Sequence, residues 1–317
     1  MKNTFYILLA GCLWGIISIF INRLNDMGFQ SMQCVALRTL ITALILLVCL
    51  LLTDREKLKV HLRDLPFFLG TGIGSIVFFN YCYFRAIQMT GSSSVPALLL
   101  YTSPVFVMLL SAVLFRERIT ASKVTAMAVT FLGLLFVTGA FSDGGGLSAA
   151  VILLGLGAGL GYALYSIFGK FVIKKYDDLT VTFYTFAFAA AGSVPIAALT
   201  EPAPKPETAG LLWALCMALF STVLPFLFYT KGLRGMDAGR AAILAAVEPF
   251  VAAAVGVTVF HEAFTIYKLA GMICIIAAII LLNLTGLRGK KAGGREEKKA
   301  TAEAGKGFSS ITEDDRK

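Results

Sequence analysis

Glu248 and Pro249 stand in the middle of "LAAVEPFVAAAVG" (244–256), a run that is otherwise apolar. A charge at the centre of a membrane helix costs about 2.5–3.5 kcal/mol on insertion scales, which disfavours a lipid-facing position. Three roles remain: a buried structural acid, a proton site, or a seat for a substrate's cationic group. The flanking alanines leave room for the last two. A bound cation changes the protonation equilibrium of such a carboxyl group, which would couple a substrate to a proton. Arg38 lies about seven residues, or about 10 Å, inside the apolar run 31–52. It either ties helices together or snorkels outward, or it captures a carboxylate or pairs with Glu248. Asn80, in "VFFNYCYF", offers an uncharged donor and acceptor. Trp14, Tyr81, Tyr83, Tyr101, Tyr162, Tyr165, Tyr184 and Tyr229 could build aromatic walls with polar handles. Several of them must instead belong to the interfacial belt.

The elements that carry these residues are apolar and repeated. "YTSPVFVMLLSAVLFRERITASK" (101–123) overlays "AAVEPFVAAAVGVTVFHEAFTIYK" (245–268) at an offset of 145, pairing Pro104 with Pro249 and Glu117 with Glu262. The overlay also sets Ser103 against Glu248, so a symmetric pair of carboxylates is ruled out. Each proline lacks an N–H and frees a carbonyl, near Leu100 and Ala245. Freed carbonyls must face protein or a cavity rather than lipid. The two kinks therefore serve packing, line a path, or do both. Glu117 and Glu262 each precede a threonine, Thr120 and Thr265, placed to cap the following helix; the expected role for the two acids is closing turns.

Of 317 residues, 57% are apolar and 15% charged, and the mean hydropathy is +0.80. Soluble domains carry about 25% charged residues, so this chain belongs in lipid. Runs long enough to span fall at 4–22, 31–52, 65–86, 92–115, 121–140, 147–172, 179–199, 210–232, 239–260 and 266–286. The predicted fold is an all-α membrane protein of ten transmembrane helices. "LAGC" (9–12) imitates a lipoprotein cleavage site, but the apolar run continues to Ile21 and reads as an uncleaved first helix. With the N-terminus inside, thirteen basic residues fall in cytoplasmic loops: Arg55, Lys57, Lys59, Arg63, Arg116, Arg118, Lys123, Lys170, Lys174, Lys175, Lys231, Arg234 and Arg240. Four face outward: Arg23, Arg85, Lys205 and Lys268. That bias places both termini in the cytoplasm. Arg85 and Lys231, near helix ends, read as interface anchors. Five helices are an odd number of crossings, so the second five must begin from the other side. The expected organisation is one five-helix repeat in 1–140 and an inverted second in 147–286. The "FSDGGG" turn (141–146) joins them, and a disordered cytoplasmic tail follows at 287–317. Inverted repeats place a site at the midplane between the halves, around a central cavity.

Other chemistries lack their residues. The net charge of +9 lies in loops and tail, and no nucleic-acid motif is present. Six cysteines all sit in apolar runs without CxxC spacing, and two histidines, His61 and His261, flank loops, so neither a metal site nor a histidine-based enzyme is expected. The glycines of "LGTGIGS" and "LGLGAGLG" follow no strand and precede no GK[ST]; Gly155/Gly159 and Gly157/Gly161 are small-residue seams for helix packing.

Taken in order along the chain, these motifs resemble the ten-helix EamA-type members of the drug/metabolite transporter superfamily. The residues concerned are "LWG" (13–15), "LR" (37–38), "YFRAI" (83–87), "YTKGL" (229–233), "SP…RE" and "EP…HE". The resemblance covers residues 4 to about 286. It implies a basket of helices around a cavity that moves small polar or amphipathic metabolites across the inner membrane, relatives handling amino acids, drugs, nucleosides and others. Trp14, Arg38, Asn80, Tyr83, Tyr101, Ser103, Tyr165, Tyr184, Tyr229 and Glu248 are the candidate substrate contacts. The expected function is a secondary transporter, not an enzyme, of an amino-acid-like solute or amphipathic drug, with export favoured. Alternatives are uptake or exchange of nucleosides or other metabolites, or a non-transporting sensor or structural protein. Expected partners are a small-molecule substrate, the bilayer and a coupling proton; no cofactor or nucleic acid is expected, and the chain acts as monomer or homodimer.

Overall fold

Long apolar runs in lipid must satisfy every backbone group internally, and helices do so within each segment. The computed structural model describes residues 2–91, 94–139, 148–202, 208–282 and 284, and among them there are helices and no strand. Among the described residues nine helices have the length and composition to cross a membrane. They are α1 Lys2–Asp26, α2 Ser31–Thr53, α3 Leu62–Thr90, α4 Val95–Phe115, α5 Ala121–Thr138, α6 Ala149–Val172, α7 Asp178–Thr200, α8 Thr208–Arg234 and α9 Ala238–Thr258. A shorter apolar helix, α10 Ile266–Leu282, occupies the tenth expected span. The 141–146 turn, loop residues 203–207 and the 287–317 tail lie outside the described residues.

Helix α3 extends beyond the apolar run 65–86 at both ends, because Arg63, Asp64 and Gln88 interrupt hydrophobicity without interrupting helical hydrogen bonding. The apolar run of α5 continues to 140, whereas Gly139, at φ +66°, ends the helix after Thr138. Two helices are broken where the sequence places proline. The pieces of α4 are Ser94–Leu100 and Ser103–Phe115; those of α9 are Ala238–Ala245 and Val247–Thr258. Two others widen into π-helical turns at matching places, Gly70–Val77 in α3 and Leu219–Val223 in α8. Such widened turns are uncommon and recur at functional sites.

The packing crosses between the halves of the chain. Helix α1 lies on α8 and α9, while α6 lies on α3 and α4, and α2 runs along α7. The first helix of each half thus packs on the broken helix of the other. Glycines permit this: a Cβ at Gly15 would sit 2.8 Å from the Glu248 carbonyl oxygen, and one at Gly159 would sit 2.9 Å from the Leu99 carbonyl oxygen. Small residues at these seams bring backbones together where apolar burial offers no drive between helices. Hydroxyl pairs fasten the α7 side, Thr39 Oγ1 to Ser193 Oγ at 2.8 Å and Thr71 Oγ1 to Thr185 Oγ1 at 2.7 Å. Exposed Leu52, Val113, Leu153 and Leu199 form an apolar exterior suited to lipid.

Candidate functional site

The break in α9 puts Glu248 at the start of its second piece, beside a cavity of about 540 Å³. That volume falls within the range of small-molecule sites, about 300–1,000 Å³. The cavity runs from a floor at Trp14, Phe226 and Tyr162 to the ends of α1, α3 and α5, marked by Asn25, Ile87 and Thr138. Two charged side chains line it, Arg38 and Glu248. Tyr162 Oη donates to Glu248 Oε2 at 3.0 Å, and the Tyr101 hydroxyl turns to the same carboxylate. Arg38, only 6% exposed, donates from Nη2 to Asn80 Oδ1 at 3.1 Å, and the Asn80 amide donates back to the Ile76 carbonyl. The arginine and the glutamate sense each other's charge, yet each is held by neutral partners instead of an ion pair with the other. The site therefore presents a positive and a negative group, both oriented, to one cavity.

Of the expected contacts, Trp14, Arg38, Asn80, Tyr83, Tyr101 and Glu248 converge on the cavity, joined by Pro249. Four stand elsewhere. Ser103 is buried at the head of the second piece of α4. Tyr184 donates to the Leu58 carbonyl at 2.7 Å, because its position near the start of α7 brings it to the 54–64 loop. Tyr165 and Tyr229 turn to the other side of the floor, where Tyr165 Oη meets Thr230 Oγ1 and Tyr229 Oη meets Ser166 Oγ. Pro104 borders a smaller apolar pocket of about 300 Å³ with Tyr101, Met127 and Phe131. Tyr81, 42% exposed, faces outward. Tyr162, named with the aromatic walls but not among the substrate contacts, also lines the cavity. Overlaying "GCLWGIISIF" on "GLGYALYSIF" pairs it with Trp14, and that pairing is the signal that ranks it with the contacts.

The face where α1 begins is closed by contacts between the halves. Glu117 does not close its own turn. Arg116, at φ +55°, reverses the chain so that the Glu117 carboxylate accepts from the amides of Ala238, at 2.9 Å, and Gly239, at 3.4 Å, capping α9. Lys170 lies 3.8 Å from Glu117. Lys123 bonds Asp237 at 3.0 Å, and Lys175 and Tyr176 each reach Asp64 at 2.7 Å. Partial burial raises the Tyr176 phenol above its ordinary range and keeps it a donor. Glu262, the repeat counterpart of Glu117, is bonded to Lys268 of its own half at 2.7 Å, and there the turn-closing role fits. His261, at φ +55°, matches Arg116. Thr120 and Thr265 cap the following helices as expected, accepting from the Lys123 and Lys268 amides. Arg85 bonds Gln88, and Lys231 sits 4.9 Å over the Tyr6 ring. Among the described residues no His/Cys/Asp/Glu cluster could hold a metal.

A bundle of membrane helices, broken at two prolines around a chamber with opposed charges, has the form of a transport protein. The EamA-like transporter family model matches the chain twice, over residues 1–139 and 149–284, and the chain belongs to that family. An uncharacterized transporter of Archaeoglobus fulgidus is 28% identical over 87% of this chain and 94% of its own. The uncharacterized inner membrane transporter YicL of Salmonella typhimurium is 22% identical over 92% and 98%. A probable amino-acid metabolite efflux pump of the same organism is 24% identical over 90% of this chain and 96% of its own. A solved crystal structure, 18% identical, superposes with a TM-score of 0.78 over 90% of this chain and 98% of that one, which speaks to fold. The protein is a multi-pass membrane transporter.

Proposed function

We propose that the protein is a secondary exporter of zwitterionic, amino-acid-like metabolites, driven by protons at Glu248. The observation that carries this is the unpaired opposition of Arg38 and Glu248 across one chamber. A zwitterion's carboxylate matches the planar guanidinium and its ammonium the Glu248 carboxylate, while Trp14, Tyr83 and Tyr101 give its side chain an apolar wall. The name of the Salmonella efflux pump points to the same solute class. The reading takes ten helices as two inverted repeats, with both termini in the cytoplasm of the inner membrane. The chamber is then the outward-open half of an alternating-access cycle, and the interlocked face of Glu117, Lys123 and Asp64 is the closed cytoplasmic gate. The test is purified protein in liposomes with a panel of radiolabelled neutral amino acids. Saturable, pH-gradient-dependent movement of at least one is expected, and movement of none would sink the reading.

A further inference from the structure

The floor of the chamber also borders a second, smaller space. A void of about 20 Å³ lies beneath Trp14 and Tyr162, walled by Ser75, Ser166, Tyr165 and Tyr229. A space of about 10–15 Å³ or more admits one water, given two to four polar partners. One partner is conspicuous: Ser75 Oγ is fully buried and meets no hydrogen-bond partner among the described residues. A helical serine or threonine ordinarily returns its hydroxyl to a carbonyl three or four residues back, as Thr71 does to Phe68 at 3.0 Å. Ser75 lies in the same π-helical stretch of α3, yet its hydroxyl makes no such bond. Across the void, Ser166 Oγ and Tyr229 Oη are 2.8 Å apart. Each hydroxyl has one proton and two lone pairs, so this pair keeps acceptor capacity for a guest. The wall carries no carboxylate, which disfavours a metal cation as the guest.

The void stands between Glu248 and the closed face. Above it, Tyr162 donates to Glu248, and the Tyr162 and Tyr229 hydroxyls are near enough to influence each other electrostatically. Below it, toward the start of α7, Tyr165 reaches Thr230 at 2.7 Å and Thr182.

We propose that this void binds one water molecule and that the water joins Tyr162, Ser75 and the Ser166–Tyr229 pair into a proton path between Glu248 and the face where α1 begins. The path rests on the reading of Glu248 as a titrating group. Each oxygen along it releases one proton as it takes another. The Glu248 carboxyl loses a proton, a water at the far face gains one, and no other reactant is needed. Chains of water and side chains transfer protons in this way. The groups facing Glu248 are Arg38 from α2, Tyr83 from α3, Tyr101 from α4 and Tyr162 from α6. None of them lies beyond the floor, so without the void the acid titrates from the chamber alone.

The experiment is infrared spectroscopy of proteoliposomes of one orientation, with the Glu248 carboxyl band assigned by its loss in Glu248→Gln. No substrate is required. A pH step applied at the face where α1 begins should move the band in the wild type. Ser75→Val, which fills the void, and Tyr229→Phe, which removes one hydroxyl, should slow that response by about tenfold or more, the rate equivalent of about 1.4 kcal/mol. Ser75→Ala, the gentler variant, should slow it less. All three should keep the wild-type response to a step on the chamber side, which shows that they are folded. A band that responds only from the chamber side in the wild type, or equally fast in all variants from both sides, overturns the path and leaves Glu248 titrating. A band that responds from neither side overturns both.

Discussion

Trp14 and Tyr162 meet edge to face, with ring centroids 6.2 Å apart, and they occupy the same position in the two repeats. One closes the chamber from α1, the other from α6, and Tyr162 also holds Glu248. Tyr162→Phe should keep the ring contact and lose the hydrogen bond. Removing a bond to a charged group costs about 1.5–3 kcal/mol, so apparent substrate affinity should fall by about tenfold or more while expression holds. Unchanged affinity would make the hydroxyl incidental.

Glu248→Gln should insert and fold, since it is nearly isosteric and removes a costly charge from the membrane interior. Transport should fall to a few per cent or lose its pH dependence. Wild-type transport with an unchanged pH profile would show the carboxylate to be structural.

The convergence of Trp14, Arg38, Asn80, Tyr83, Tyr101 and Glu248 was legible in the sequence, because a charge or amide within an apolar helix has few places to go. The broken helices were legible because proline is a local cause. What was not legible depended on long-range register. Tyr184 and Tyr83 look alike within their helices, yet one ends at the Leu58 carbonyl and the other in the chamber. The orphaned hydroxyl of Ser75 lies in a π turn packed against α6 and α7, a contact between distant parts of the chain that composition does not show. Glu117 reads as a local cap until the fold brings Ala238 to it.

Glu117→Gln should loosen the closed face. It keeps an acceptor for the Ala238 amide but loses the charge that attracts Lys170 and the start of α9. In a cysteine-free background, a cysteine at Ser166 should react with a small thiol reagent applied from that face several-fold faster once Glu117 is neutralised, the equivalent of about 1 kcal/mol. Equal rates would mean that the other cross-half bonds suffice.

Orientation is checked with single cysteines at exposed positions in the same background. Asp26→Cys should be labelled by an impermeant reagent on intact cells, and Lys59→Cys only after permeabilisation. The reverse pattern would place the termini outside and turn the chamber toward the cytoplasm.

Gly15 and Gly159 also bear on how such a molecule moves. Where two helices interlock through large side chains, relative motion must lift each side chain out of its notch. At Gly15 and Gly159 the glycine has no side chain of its own to lift, and only Val251 of α9 and Thr102 of α4 press on the seam beside the Glu248 and Leu99 carbonyls. Such one-sided seams resist sliding less than fully interlocked ones, and the broken helices can shear along α1 and α6 there. Tight packing and mobility, usually opposed, coincide at these two lines.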